Sequence, residues 1–358
     1  MGVNDDLRAR AVAHAHLIER LKAGEVRRIL GMLNRNLYPE LVQEIEARLA
    51  RITERGFDAG QWTTKRMREL AEAIDMILAA QIGKAGTSLA RALSKASVVE
   101  AQAAVGTLES ATPGVLEIEF TIPSPELLKS VVTSRPFQGR VLKDWWATVE
   151  GVTRQRVRDT IAKGIVEGLP TPKIVQRLVG TKAAGFTDGV LDQSRRAVTA
   201  VVRTAVNHTM THAREATFEA NADVIKGVQW VSTLDTRTTE TCMALDGKVF
   251  EVGEGPRPPA HYGCRSTTTP VLKSWRELGI NAKELTPGSR ASMDGQVPDT
   301  QTYGDWLKSQ PLEVQEEALG AEKARLFRSG SLTVDQLVSA NLTPLTLEQL
   351  RRRLGLAA

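Results

Sequence analysis

Cysteine and histidine are scarce in this chain: 2 and 5 among 358 residues, with aromatic side chains at only 4%. No stretch reaches the roughly 18 to 20 continuous apolar residues that a membrane span requires, which argues against a membrane partner. The N-terminus, MGVNDDLRARAVAHAHLIERL, has no apolar signal-peptide core, so the expectation is synthesis and first action in a cytoplasm. Strong charge of one sign is missing as well. The 47 basic residues stand against 42 acidic ones, a net +5, whereas a dedicated DNA-binding domain concentrates its positive charge on one face or helix. Short basic runs do occur at 153–158, 194–196 and 351–353, each within a helical pattern where a solvated face is the ordinary reading. Internal repeats and low-complexity tracts are also wanting.

What the chain has in abundance is Ala, Leu, Arg and Glu, the composition of helices. Leu41, Ile45, Leu49 and Ile52 form one stripe of period 3.6, and Met67, Leu70, Ile74, Ile77 and Leu78 form a second. The second pattern runs on past Gly83 and Gly86, predicting a single long or kinked helix of about 40 residues, or about 60 Å. VLEIEFTIP then alternates with period 2 until Pro123, the signature of a strand. Helical patterns return at 140–168, at PTPKIVQRLVG with Pro172 in its first turn, and at 192–220. After residue 220 the texture changes to a strand at IKGVQWVST, a polar loop entering a short helix, a tight turn at Asp246-Gly247, a Pro-rich loop and a closing strand. The expected fold is α+β and mainly α-helical. A long helical arm occupies 1–110, a mixed helical region with one strand 111–199, a small α+β domain begins near 200 and is densest to about 275, ending by 284, and a linker with short helices fills 285–358.

Cys242, His261 and Cys264 raise the chemical question. Eighteen residues separate the first two and two the second pair. Zinc is one reading, because thiolate and imidazole are its ligands and a fourth could come from a nearby element. His208 and His212, four apart on one helix face, are further candidates. Paired zinc motifs normally double their ligands at both ends, and Cys242 has no close partner. A nucleophilic Cys264 would need a base and an orienting group in reach, and no nucleophile elbow is present. A Cys242–Cys264 disulfide would close a loop of about 20 residues and form only outside a reducing cytoplasm. The reading preferred on residues alone is a loop fastened by hydrogen bonds and ion pairs, with Arg265 pairing with Asp235 or Asp246 and the cysteines buried as small apolar groups. No cofactor is favoured, zinc remaining the less favoured alternative.

The run from RTAVNHTMTHAREATF to HYGCRSTTTPV resembles the shared domain of the Mu F-like phage minor head proteins. Its pattern is an Arg-Thr pair in a helix, a Trp strand, an LD.RT...C..LDGK segment, a Pro-Pro-x-His and a Cys-Arg close. Arg203, Thr204, Trp230, Asp235, Arg237, Thr238, Cys242, Asp246, Gly247, Pro259, His261, Cys264 and Arg265 match it, and similarity of the flanks extends the resemblance over roughly 137–330. The resemblance implies a structural, non-enzymatic minor capsid protein of a tailed phage, at the portal vertex or inside the head, acting in head assembly and DNA packaging or delivery. The partners it implies are the portal protein, the major capsid or scaffold protein, and packaged DNA without sequence preference. It also implies location in the virion head, after assembly in the host cytoplasm. The competing readings are a metal-assisted enzyme and a nonspecific DNA-binding protein delivered with the genome.

Overall fold

A computed structural model describes residues 3–53, 64–112, 118–261, 263–274, 276–279, 289–298 and 300–355. The chain is mainly α-helical with two small sheets, an α+β fold as expected. It divides into two compact units, one of Leu21–Lys95 with Val132–Val206, the other of Met1–Arg20, Ala96–Val131 and Asn207–Ala358. The helical arm expected over 1–110 therefore does not stand as a domain of its own. Its middle packs with the helices after residue 132, because apolar stripes on long helices need partners to cover them.

In the first of these units, α1 (Val3–Met32) leads through a π-helical turn at Leu33–Leu37 into α2 (Tyr38–Thr53). Leu41, Ile45 and Leu49 are buried, and the Ile52 and Met67 side chains lie outside the described residues. Helix α3 (Thr64–Ala111) is unbroken at 48 residues. Its buried positions in this unit, Leu70, Ala73, Ile74, Leu78, Ile82, Ala85, Leu89 and Leu93, lie along one face of period 3.6. Gly86 continues the helix because it lets an indole approach: a Cβ there would lie 3.1 Å from Cγ of Trp146. Trp146 belongs to α5 (Leu142–Val166), which α6 (Thr171–Val179) follows, with Pro172 in its first turn. Helix α7 is Val190–Ala220. A buried hydrogen bond of 2.9 Å from the Thr153 hydroxyl to that of Ser194 ties α5 to α7.

The other unit holds the sheet. The strand expected around 115–123 does not form among the described residues: 113–117 lie outside them, and 118–124 is irregular. Thr121 instead exchanges hydrogen bonds of 2.8 and 3.0 Å with the side-chain amide of Asn221, which takes the place of a neighbouring strand. Helix α4 (Pro125–Thr133) follows, buried through Leu128. Strands β1 (Ile225–Val231), β2 (Val249–Phe250) and β3 (Thr267–Leu272) form an antiparallel sheet in the order β2-β1-β3, with Val228 opposite Phe250 and Trp230 opposite Thr268. The short helix α8 (Glu240–Leu245) lies between β1 and β2 in the chain.

Residues 289–298, linker by composition, form a hairpin of β4 (Ser289–Ser292) and β5 (Gly295–Pro298). The end of the chain is not a loose tail. Helices α9 (Tyr303–Ser309), α10 (Leu312–Leu319), α11 (Ala321–Arg328) and α12 (Leu347–Arg353) gather Trp306, Leu307, Phe327, Leu337 and Leu350 into one core with Leu234 and Met243. Polar residues set these helix starts: Thr302 with Asp305 and Thr346 with Gln349 form reciprocal capping boxes.

Candidate functional site

Strand β1 ends in a polar turn whose residues fix one another. The carboxylate of Asp235 accepts from the backbone N–H of Arg237 at 3.1 Å, as an Asx turn does, and the Thr238 hydroxyl donates to the Thr233 carbonyl at 2.6 Å. Thr239, in extended conformation, then starts α8 and directs Cys242 inward, where it is 1% exposed.

The Pro-rich loop reaches Cys242 from the other side, anchored by Arg257. Its Nε donates to Glu215 of α7 at 2.6 Å, while its Nη atoms reach the carbonyls of Pro256 and Glu251 at 3.1 Å. Burial raises the Glu215 carboxyl above its ordinary range; the Arg257 charge and hydrogen bond oppose this. Cys264 N–H closes a turn onto the His261 carbonyl at 3.2 Å. Gly263 stands in that turn at φ +73°, a conformation open to glycine and resisted by side chains. The spacing of two residues between His261 and Cys264 is thus the spacing of a tight turn, which brings both side chains to one place.

There the three sequence candidates meet. Cys242 Sγ lies 3.3 Å from His261 Nε2 and 3.8 Å from Cys264 Sγ, and all three atoms fall within 4.8 Å of one another. No disulfide joins the two sulfurs. Cys264 is 2% exposed and His261 half-buried. The Thr239 hydroxyl is 2.9 Å from Nε2, and Asn207 of α7 donates to the Cys264 carbonyl at 3.3 Å. The thiols titrate as a pair. The Cys242 hydrogen bond pulls the Cys264 thiol well below its ordinary value, with His261 helping against burial, and the Cys264 hydrogen bond and burial push Cys242 up. One proton leaves easily and the second is held.

Around the cluster run two ion pairs made by motif residues. Arg265 reaches Asp235 through both Nη atoms at 2.5 and 2.7 Å. Asp246 is fully buried and meets Arg290 of β4, which is fully buried too, at 3.0 and 3.2 Å. Asp246 also accepts from the N–H groups of Ser232 at 2.6 Å and Tyr303 at 2.7 Å. Ser232 joins the ion pair to the cluster: its hydroxyl donates to the Cys242 carbonyl at 2.7 Å and accepts from Trp230 Nε1 at 2.9 Å. Gly247 N–H donates to the Trp230 carbonyl at 2.9 Å.

The remaining candidates lie elsewhere. His208 and His212 stack edge to face on α7 with ring centroids 4.4 Å apart and are not members of the Cys-His-Cys group. Arg203 is exposed, and the hydroxyl of buried Thr204 bonds back to Ala200 at 2.8 Å. Arg237 points to solvent, 3.6 Å from Asp235. Sequence reading missed Ser232, Asn207, Thr239 and Arg290. Arg290 in particular carries no local signal, since it sits in a polar segment and its partner is 44 residues away.

Fold and site together define a mainly helical α+β protein whose small sheet is locked by buried ion pairs beside a Cys-His-Cys cluster. Residues 155–269 match the family model described as Phage Mu protein F like protein, so the chain carries a Mu F-like domain. That family points to phage head morphogenesis. Neither the curated proteins nor the solved structures compared with the chain gave a match. Among the described residues no helix is long and apolar enough to cross a membrane.

Proposed function

We propose that this chain is a minor head protein of a tailed phage, bound at the portal vertex or inside the head, where it supports assembly and DNA packaging or delivery. The Mu F-like match over 155–269 carries this reading. Its motif residues are tied to one another and to their neighbours: Asp235 with Arg265, Asp246 with Arg290 beyond the match, Trp230 and Cys242 with Ser232. A module tied together in this way serves as a rigid attachment piece, so the role is structural and not enzymatic. Its partners are the portal protein and the major capsid or scaffold protein.

DNA contact is the weaker reading. Arg154 and Arg158 in the first basic run pair with Asp75, Arg196 in the second with Asp192, and Arg351 and Arg352 in the third with Glu322 and Glu348. Matched charges leave little free to replace counterions on a duplex. The test is co-expression with the portal protein encoded by the same phage. The tagged chain is expected to co-purify with portal oligomers and to stay bound at moderate salt. A monodisperse monomer with no affinity for portal or capsid shell would overturn the reading.

A further inference from the structure

We infer that Cys242, His261 and Cys264 form a zinc site that clamps α8 to the loop entering β3. The inference is independent of the head-protein reading, because it rests on three donor atoms and their surroundings.

A tetrahedral zinc ion with sulfur at about 2.3 Å and nitrogen at about 2.05 Å sets its donors apart by about 3.8 Å for sulfur to sulfur and about 3.5 Å for sulfur to nitrogen. The corresponding separations here are 3.8 Å and 3.3 Å. A disulfide would need its sulfurs at about 2.05 Å, so the pair is set wider than that bond requires and at the width of a tetrahedral edge. Packing alone asks only that thiols be buried; it does not ask two sulfurs and a ring nitrogen to face a common point.

The surroundings suit bound thiolates. Asn207 donates to the Cys264 carbonyl at 3.3 Å and Ser232 to the Cys242 carbonyl at 2.7 Å, fixing the backbone that carries each sulfur. Such outer partners orient metal ligands. Both sulfurs bind as thiolates, each giving up its proton if it still holds one, and the two thiolates neutralise a divalent ion. Arg265, next in the chain, is already paired with Asp235 and adds no unbalanced charge to the site. Soft sulfur with imidazole selects zinc over magnesium or calcium. The fourth position falls to an oxygen, either the Thr239 hydroxyl beside Nε2 or a water. Half-buried His261 leaves a route for the ion, while the buried cysteines keep bulk solvent from the sulfurs.

The test uses the full chain purified without chelator. Metal analysis is expected to find one zinc per chain, and Cys264→Ser and His261→Ala are expected to lose most of it. A variant that fails to fold would make that loss uninformative, so cobalt(II) is also titrated into the chelator-treated wild type, with circular dichroism showing it folded. Expected are the intense visible bands of tetrahedral cobalt and a thiolate-to-cobalt band in the near ultraviolet. A folded wild type that holds no zinc and gives no tetrahedral cobalt spectrum would overturn the site. An unreduced mass two hydrogens light, without metal, would overturn it in favour of a disulfide.

Discussion

Arg290 and Asp246 form an ion pair from which solvent is fully excluded, with two guanidinium nitrogens at 3.0 and 3.2 Å from the carboxylate. The same two nitrogens of Arg290 also donate to the carbonyls of Ser232 and Gln301, and Asp246 accepts from two backbone N–H groups. Removing one partner strands the other charge in the interior. Arg290→Met or Asp246→Leu is expected to destabilise the protein by about 3–5 kcal/mol, and the double substitution by clearly less than the two singles together. Urea denaturation of the three variants measures this; additive losses would mean the pair is not coupled.

Ser232 bonds Trp230 on one side and the Cys242 carbonyl on the other. Ser232→Ala leaves a buried indole N–H and loosens the carbonyl, at an expected loss of about 1–3 kcal/mol. Near-ultraviolet dichroism should change at the tryptophan bands, since Trp230 is wholly buried. An unchanged spectrum and midpoint would remove Ser232 from its place as the joint of the network.

Asp235 gives the pH dependence. Burial acts to raise its carboxyl, but the Arg265 hydrogen bonds and charge, with the Arg237 N–H, outweigh it and hold the group below the ordinary 3.8. A carboxyl lowered by folding contributes stability that is complete above its unfolded value and lost as pH falls through the folded one. Asp235→Asn is therefore expected to melt lower than wild type at neutral pH, with the gap narrowing below about pH 4 as the wild-type carboxyl takes up its proton. Melting curves across that range check the sign; a gap that widened in acid would contradict it.

Leu234 and Met243 share a core with Trp306, Leu307 and Phe327, and Tyr303 supplies an N–H to Asp246. Truncation after residue 298 is expected to expose that apolar surface and give an aggregating or molten product. Limited proteolysis and near-ultraviolet dichroism of the shortened chain would show this. A well-packed truncated protein would show that the helices after residue 298 are not part of that core.

Legibility in the sequence followed the distance over which each feature is determined. The stripe Leu41, Ile45, Leu49 and the long run through Gly83 and Gly86 could be read because helix periodicity is local. His261 and Cys264 stood out because a turn of two intervening residues sets them side by side. Cys242 joins them from 19 residues before His261, and only the packing of α8 against the loop shows that its sulfur meets theirs. The alternation around Ile118 and Phe120 predicted a strand, yet a strand needs a neighbour, and Asn221 supplies side-chain hydrogen bonds there instead. The hairpin that carries Arg290 was hidden by its Gly, Ser and Pro content, which a linker shares with a tight β-turn.

Membership of the phage head is read out by quantitative mass spectrometry of purified particles and of portal-containing assembly intermediates. The protein is expected in both, at a small fraction of the major capsid protein and in proportion to the portal. Particles and intermediates that contain the portal but none of this chain would contradict it.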